Sequence, residues 1–322
     1  MNSKQKSIIK ISIPILLSIV AIWYSFSIIP IENLISSFKE ANYTYVLIGA
    51  LLGLLSHLSR AYRWRFQLEP MGYKIKLGNS VMAVFAAYLI NYTIPRAGEV
   101  ARASVLTNYE GIPFEKSFGT IVSERIADMV VMLGIIFVTL LLQFDFIYEK
   151  LSESISLYKI TITAVSIVII VMILTRIIQK GNSKIILKIK SFVNGLLEGV
   201  LSIFKMKKKW LFIFHTLFIW SMYVLMFYVT SFSIPETSDI PFAAILVGFI
   251  LASFSIAATN GGIGSYPLAI YAAFSIFNIP EDPSIAFGWI MWTSQTLMIM
   301  FFGGISLLYL PFYNRKTSKT NF

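Results

Sequence analysis

The chain has 322 residues, 57% of them hydrophobic and 13% charged, with a mean hydropathy of +0.74 and a net charge of +11. A soluble domain carries about 25% charged residues, so this composition excludes a water-soluble enzyme and makes lipid the solvent for much of the apolar surface. The lack of cysteine excludes disulfides, iron–sulfur centres, cysteine-ligated zinc and thiol nucleophiles. His57 and His215 stand far apart with no histidine at helical spacing, so neither a metal site nor any other cofactor is expected.

Apolar runs in chain order cover 11–29, 43–59, 78–94, 120–142, 160–178, 210–233, 241–258, 265–278 and 285–310. These are helical lengths, which exclude a barrel of ten-residue alternating strands. The first run follows Lys4, Lys6 and Lys10, is too long for a signal-peptide core and reads as an uncleaved span. Over 183–204, Lys184, Lys188 and Lys190 alternate with Ile185, Ile189, Phe192, Leu196 and Val200 at helical spacing. That pattern reads as an amphipathic helix, lying either on the membrane surface or packed as a linker.

Sidedness follows from Lys and Arg. The N-terminal tail holds three, 60–76 five, 176–209 nine and the C-terminal tail three, whereas the loops 30–42, 143–159, 234–240 and 279–284 hold three between them. Those four loops carry nine acids. Both termini are therefore expected in the cytoplasm, the chain in the plasma (inner) membrane, and the basic excess marks a membrane face rather than a nucleic-acid site. An odd number of crossings must separate the basic stretch 60–76 from the acidic loop 143–159, yet 78–94 and 120–142 would make two. The repair is a re-entrant hairpin over 78–106, with its tip at Asn91–Glu99. Its counterpart over 241–278 breaks at Thr259–Pro267 and reads as either two short spans or a second re-entrant hairpin. Gly98 and Gly264 fall about half a chain apart, the pattern of an inverted repeat with interrupted segments that frame a midplane site. The expected fold is all-α: one transmembrane domain over 1–322, with a first half (1–178), the surface helix, and a second half (210–310).

Charged residues inside such a protein face its interior and are candidates for function. Arg96, Glu99 and Arg102 lie beside the first tip; Glu124, Arg125 and Asp128 open the run 120–142; His57, Arg60 and Trp64 share one helical face. The competing reading makes these charges structural ion pairs or headgroup-level groups, and Arg60, Arg63 and Arg65 are expected against lipid headgroups. Were Arg60, Arg96, Arg102 and Arg125 to meet Glu99, Glu124 and Asp128, one positive charge would remain. Guanidinium forks and helix N-termini suit phosphate. Gly261, Gly262 and Gly264 allow close backbone approach, and a leucine at Gly262 is expected to block that path while sparing the fold. Gly49-x-x-x-Gly53 reads as a helix-packing face.

Arg60-x-x-Arg63-Trp64, Asn91-x-x-x-Pro95-Arg96-x-Gly98-Glu99-x-x-Arg102, Glu124-Arg125-x-x-Asp128 and Gly261-Gly262-x-Gly264 occur in this order. In these elements the chain resembles the lysylphosphatidylglycerol synthase transmembrane-region family, also called flippase-like domain proteins. The resemblance implies an integral membrane domain with re-entrant helices, associated with moving lipids between leaflets. Where relatives carry a Glu shortly after the second glycine motif, this chain has Ser265, Tyr266 and Pro267. Neither the soluble lysyl-transfer domain of the synthases nor the glycosyltransferase domain of other relatives is expected here.

The leading expectation is a flippase or transporter of a phosphate-bearing lipid, either a phospholipid or a polyprenyl-phosphate-linked one, and not an enzyme. The second is a non-transporting membrane partner of a separate lipid-modifying or glycosyltransferase enzyme. A third, an intramembrane enzyme with Glu99 or Glu124 as acid–base, lacks a nucleophile beside a base. The candidate substrate-binding set is Arg60, Asn91, Arg96, Glu99, Arg102, Glu124, Arg125, Asp128, Gly261, Gly262 and Gly264, facing anionic or phosphate headgroups of membrane lipids.

Overall fold

The computed structural model describes residues 3–94, 97–144 and 206–315, together with positions 176, 187 and 203. The expected span 160–178, the surface helix 183–204 and Arg96 lie outside the described residues. Among the described residues every regular element is helical. The helices are α1 (Ser3–Ile28), α2 (Ile31–Glu40), α3 (Tyr43–Leu68), α4 (Leu77–Thr93), α5 (Ala97–Glu110), α6 (Phe114–Leu142), α7 (Lys209–Ser231), α8 (Phe242–Ala258), α9 (Ser265–Ser275) and α10 (Glu281–Tyr313). The chain forms two compact units, one of residues 1–122 with 206–322 and one of residues 123–205.

A helix needs about 20 apolar residues to cross the hydrocarbon core. Four stretches meet that length and composition: Tyr43–Met71, Phe114–Leu142, Lys209–Ser231 and Glu281–Tyr313; the pair Leu16–Ile28 and Ile31–Glu40, bent by 85°, gives a fifth if taken as one span. Helices α4, α5, α8 and α9, of 17, 14, 17 and 11 residues, fall short. The order of a long helix, two short packed helices and a long helix thus occurs twice: α3, α4–α5, α6 and α7, α8–α9, α10.

In the first unit the helix ends collect into two groups. At one end the Lys208 ammonium meets Glu69 at 2.6 Å, joining the end of α3 to the start of α7. The backbone N–H of Lys76 and the amide of Asn79 both donate to Glu110, at 3.0 and 2.6 Å, so α4 begins where α5 ends. Asn79 and Asn314 exchange amide hydrogen bonds of 3.0 and 2.7 Å, adding the end of α10. Trp64, Leu68, Ile75, Ala83, Ala103, Leu106, Ile112 and Ile121 form a buried apolar cluster at this end. At the other end Asn42 N–H donates to the Ser233 carbonyl at 2.8 Å and the Asn33 amide to Asp282 at 2.8 Å. Tyr228, near the end of α7, packs on Phe242 at the start of α8, and α9 returns to the start of α10. The first end carries Lys74, Lys76, Lys116, Lys207, Lys208 and Arg315, the second Glu32, Glu40, Glu236, Asp239, Glu281 and Asp282.

Helices α3 and α7 cross closely because Gly49 and Gly53 present bare backbone. A Cβ on Gly49 would lie 2.2 Å from Thr230 Oγ1, and one on Gly53 2.8 Å from Met226 Sδ. The packing-face reading of this motif therefore holds. Two sequence expectations need correction. The segment 30–42, read as a loop, contains α2, whose Ile31, Leu34, Ile35 and Phe38 fall at i, i+3, i+4 and i+7. Its three charged residues hid that periodicity from a hydropathy window. The run 43–59 continues as helix to Leu68, because Arg60 and Arg63 are enclosed by protein rather than lipid.

This end-to-end sorting has a direct test, simplified by the absence of native cysteine. Single cysteines at exposed Lys74 and Glu115 are expected to react with an impermeant maleimide from the same side, and one at exposed Asp239 from the opposite side. Glu115 labelling together with Asp239 would contradict the pairing of α4 with α5.

Candidate functional site

Each short-helix pair is interrupted at its inner tip. α4 stops at Thr93, where Ile94 turns extended with φ −129° and ψ 109°, and α5 resumes at Ala97. The Asn91 side chain accepts the Gly98 N–H at 2.8 Å, satisfying a donor left over at the start of α5. A Cβ on Gly98 would stand 2.1 Å from the Ala87 carbonyl oxygen, so only glycine lets α5 approach α4 here. In the second pair α8 ends at Ala258, and Gly261, Gly262 and Gly264 adopt φ of 64°, 78° and 70°. Side chains other than glycine rarely adopt such angles. Thr259 and Ser265 hydroxyls bond across the break at 2.8 Å, and Tyr266 N–H donates to the Gly262 carbonyl at 2.8 Å.

The two tips meet. The Tyr92 ring covers the Gly261 backbone, where a Cβ would come within 2.6 Å of it. The Thr296 hydroxyl donates to the Tyr92 oxygen at 3.2 Å, and the Trp292 indole N–H to the Gly261 carbonyl at 2.8 Å. Both partners belong to the middle of α10. α1 closes the other flank: a Cβ on Gly264 would fall 2.5 Å from the Ile22 nitrogen, and Trp289 donates to Ser25 at 2.9 Å. Within the second tip Asn260 is buried, and its Oδ1 has no partner among the described residues. Because Gly262 needs a positive φ and a Cβ there would lie 3.1 Å from both Ile256 and Tyr266, a leucine would strain the tip itself. That corrects the expectation that this substitution spares the fold.

The arginines are enclosed. Arg60 and Arg63 are 2% and 0% exposed, which overturns the headgroup-level expectation for both. Arg63 donates to Thr216 at 2.7 Å and lies over the Phe212 ring at 5.0 Å. Arg60 sits close enough to His57 and Tyr223 to act on both electrostatically. The His57 ring is held by Tyr88, Phe85 and Tyr223 at centroid distances of 4.5, 5.5 and 6.0 Å. Arg102 stacks on Trp64 at 3.8 Å, and the Trp64 indole donates to Thr120 at 2.7 Å. Trp64 thereby links the α3 face bearing Arg60 to Arg102 on α5. Burying such cations costs several kcal/mol each unless neighbours compensate; Arg60, Glu99 and Arg102 all have polar or electrostatic partners.

The structure thus joins Asn91 to Gly98, the first tip to Gly261, and Arg102 to the Arg60-bearing helix face. In the second unit, Glu124 and Asp128 are buried and Arg125 lies 3.8 Å from Asp128, one helical turn away. Among the described residues, no three His, Asp or Glu side chains could hold a metal ion. Tyr88, Tyr92, Tyr223, Trp292 and Thr296 were absent from the sequence-derived set. The four-residue spacing of Tyr88 and Tyr92, and of Trp292 and Thr296, was the available signal for polar groups on one helical face. Gly98→Ala tests the close approach directly. Overpacking of this kind costs about 1–3 kcal/mol, so its unfolding temperature in detergent should fall, whereas Gly304→Ala, which enters open space, should leave it unchanged or raised. Equal stability of the two variants would contradict the geometry.

Comparison with known proteins accords with this architecture. The chain is 26% identical to UPF0104 membrane protein MJ1595 of Methanocaldococcus jannaschii, over 87% of this chain and 88% of that protein. A shorter stretch, 38% of this chain, is 29% identical to 20% of glycosyltransferase AglD of Haloferax volcanii. The family described as lysylphosphatidylglycerol synthase TM region matches residues 11–304, and the chain belongs to it.

Proposed function

We propose that this membrane protein moves a phosphate-bearing lipid between leaflets, and that it does so as a transporter without performing covalent chemistry. The observation carrying the proposal is the meeting of two helix breaks beside buried guanidinium groups. In this reading the basic end faces the cytoplasm with both termini, the membrane is the plasma membrane, and α4–α5 and α8–α9 are re-entrant hairpins entering from opposite faces. The two halves are then an inverted repeat.

A charge at the bilayer centre costs about 2.5–3.5 kcal/mol or more. A headgroup can cross only where protein dipoles and cations replace its water. The starts of α5 and α9 offer unsatisfied N–H groups and the positive ends of helix dipoles. Arg60, Arg102 and, from its sequence position, Arg96 add guanidinium forks suited to phosphate. Asn91, Glu99, Gly261, Gly262 and Gly264 shape the tips. Glu124, Arg125 and Asp128 belong to this reading on their sequence alone.

A second reading makes the chain a non-transporting partner of a lipid-linked glycosyltransferase. It is favoured by the partial likeness to AglD.

Leaflet exchange of fluorescent phospholipid and polyprenyl-phosphate analogues in proteoliposomes separates the two readings. Wild-type protein should accelerate exchange of at least one analogue. Arg60→Lys, which keeps charge but loses the fork, should slow it roughly tenfold or more, since hydrogen bonds to charged groups contribute about 1.5–3 kcal/mol. Exchange no faster than in protein-free vesicles for both lipids, with and without a proton gradient, would favour the partner reading.

A further inference from the structure

Away from the tips, a groove of about 480 Å³ opens at the acidic end, lined by Leu34, Ile35, Phe38, Lys39 and Tyr43. That volume falls within the roughly 300–1,000 Å³ range of small-molecule sites. We propose that this groove is a binding site for an anionic membrane lipid, with an acyl chain against Leu34, Ile35 and Phe38 and the phosphate at Lys39.

The helix that forms it is set for that role. α2 turns 85° from α1 at Ile29–Pro30, so it runs across the direction of the long helices. A helix that lies flat at a membrane surface buries one apolar face among acyl chains and turns its charges to water. Ile31 and Ile35 are exposed, while Leu34 is buried against the protein. Tyr43 and Tyr45 are exposed on the adjoining turn, the interfacial position that tyrosine favours. The Tyr43 hydroxyl donates to the Phe38 carbonyl at 2.7 Å, fixing the groove wall.

Charge selects the ligand. Among the described residues, Lys39 is the one base in the segments of the acidic end. It stands beside Glu40, which instead accepts the Ser36 hydroxyl at 2.8 Å, leaving the ammonium without an ion-pair partner among the described residues. A lysine kept at the mouth of an apolar groove, on an otherwise acidic face, complements an anionic headgroup and gives no advantage to a zwitterionic one. This inference stands whether or not the protein transports lipid.

The test uses the full-length protein in vesicles containing phosphatidylglycerol or phosphatidylcholine with a photoactivatable acyl chain, followed by peptide mapping. Labelling of the segment 34–43 by phosphatidylglycerol should exceed that of the lipid-exposed face of α10 around Leu297 and Phe301. Lys39→Ala should reduce it about fivefold, the ratio given by ~1 kcal/mol per basic residue near a membrane surface. Lys39→Arg should retain it, and α10 labelling in each variant reports an intact fold. Equal labelling by both lipids, or no change in Lys39→Ala, would reduce the groove to ordinary lipid contact. Chain-to-chain cross-links through a photoreactive group at Ile35, in place of lipid adducts, would assign it to a second copy. Either outcome overturns the proposal.

Discussion

Broken backbone inside a membrane protein must find its hydrogen-bond partners within the protein, because hydrocarbon supplies none. That constraint organises this structure. Each short-helix pair ends in an interruption that exposes N–H and carbonyl groups, and the interruptions are set against one another. Tyr92 covers Gly261, Trp292 takes the Gly261 carbonyl, and Asn91 takes the Gly98 N–H. Two irregular tips that would be costly in isolation become a shared polar interior, held by the middle of α10 and flanked by α1.

The buried arginines follow from the same arrangement. α3 carries Arg60 and Arg63 inside the protein because α4 and α7 surround it with aromatic rings and hydroxyls in place of acyl chains. Arg102 reaches the same region from α5 by stacking on Trp64. Cations enclosed this way carry a standing desolvation cost, offset by neighbours that would otherwise have no reason to be polar at that depth. The lipid-transport proposal gives those groups a common purpose, and membership of the lysylphosphatidylglycerol synthase transmembrane-region family is compatible with it.

Much of the helical architecture was legible because its signals are local or additive. Long apolar runs announce the membrane helices, and Gly98, Gly261, Gly262 and Gly264 mark the helix breaks. The parity of basic and acidic loops led to a paired arrangement of α4 and α5, and both ends of that pair do meet at Glu110. What stayed hidden depends on partners distant in sequence. Nothing near Tyr92 in the chain points to Gly261, and nothing near Arg63 points to Thr216, so a hydropathy window assigned Arg63 to the headgroups. α2 escaped for another reason: ten residues with three charges resemble a loop until their apolar positions are counted on a helical period. The interior contacts of the acidic set Glu124 and Asp128 are likewise beyond what spacing on a single helix can define.

The central claim is that two helix breaks meet at mid-depth and satisfy one another. A side-chain-resolution density map of the protein in a lipid nanodisc tests it most directly. The account predicts Tyr92 stacked on the Gly261 backbone near the centre of the disc, with Trp292 bonded to the Gly261 carbonyl. A map in which α4 or α8 runs uninterrupted across the bilayer, or in which the 259–264 tip faces acyl chains, would contradict it.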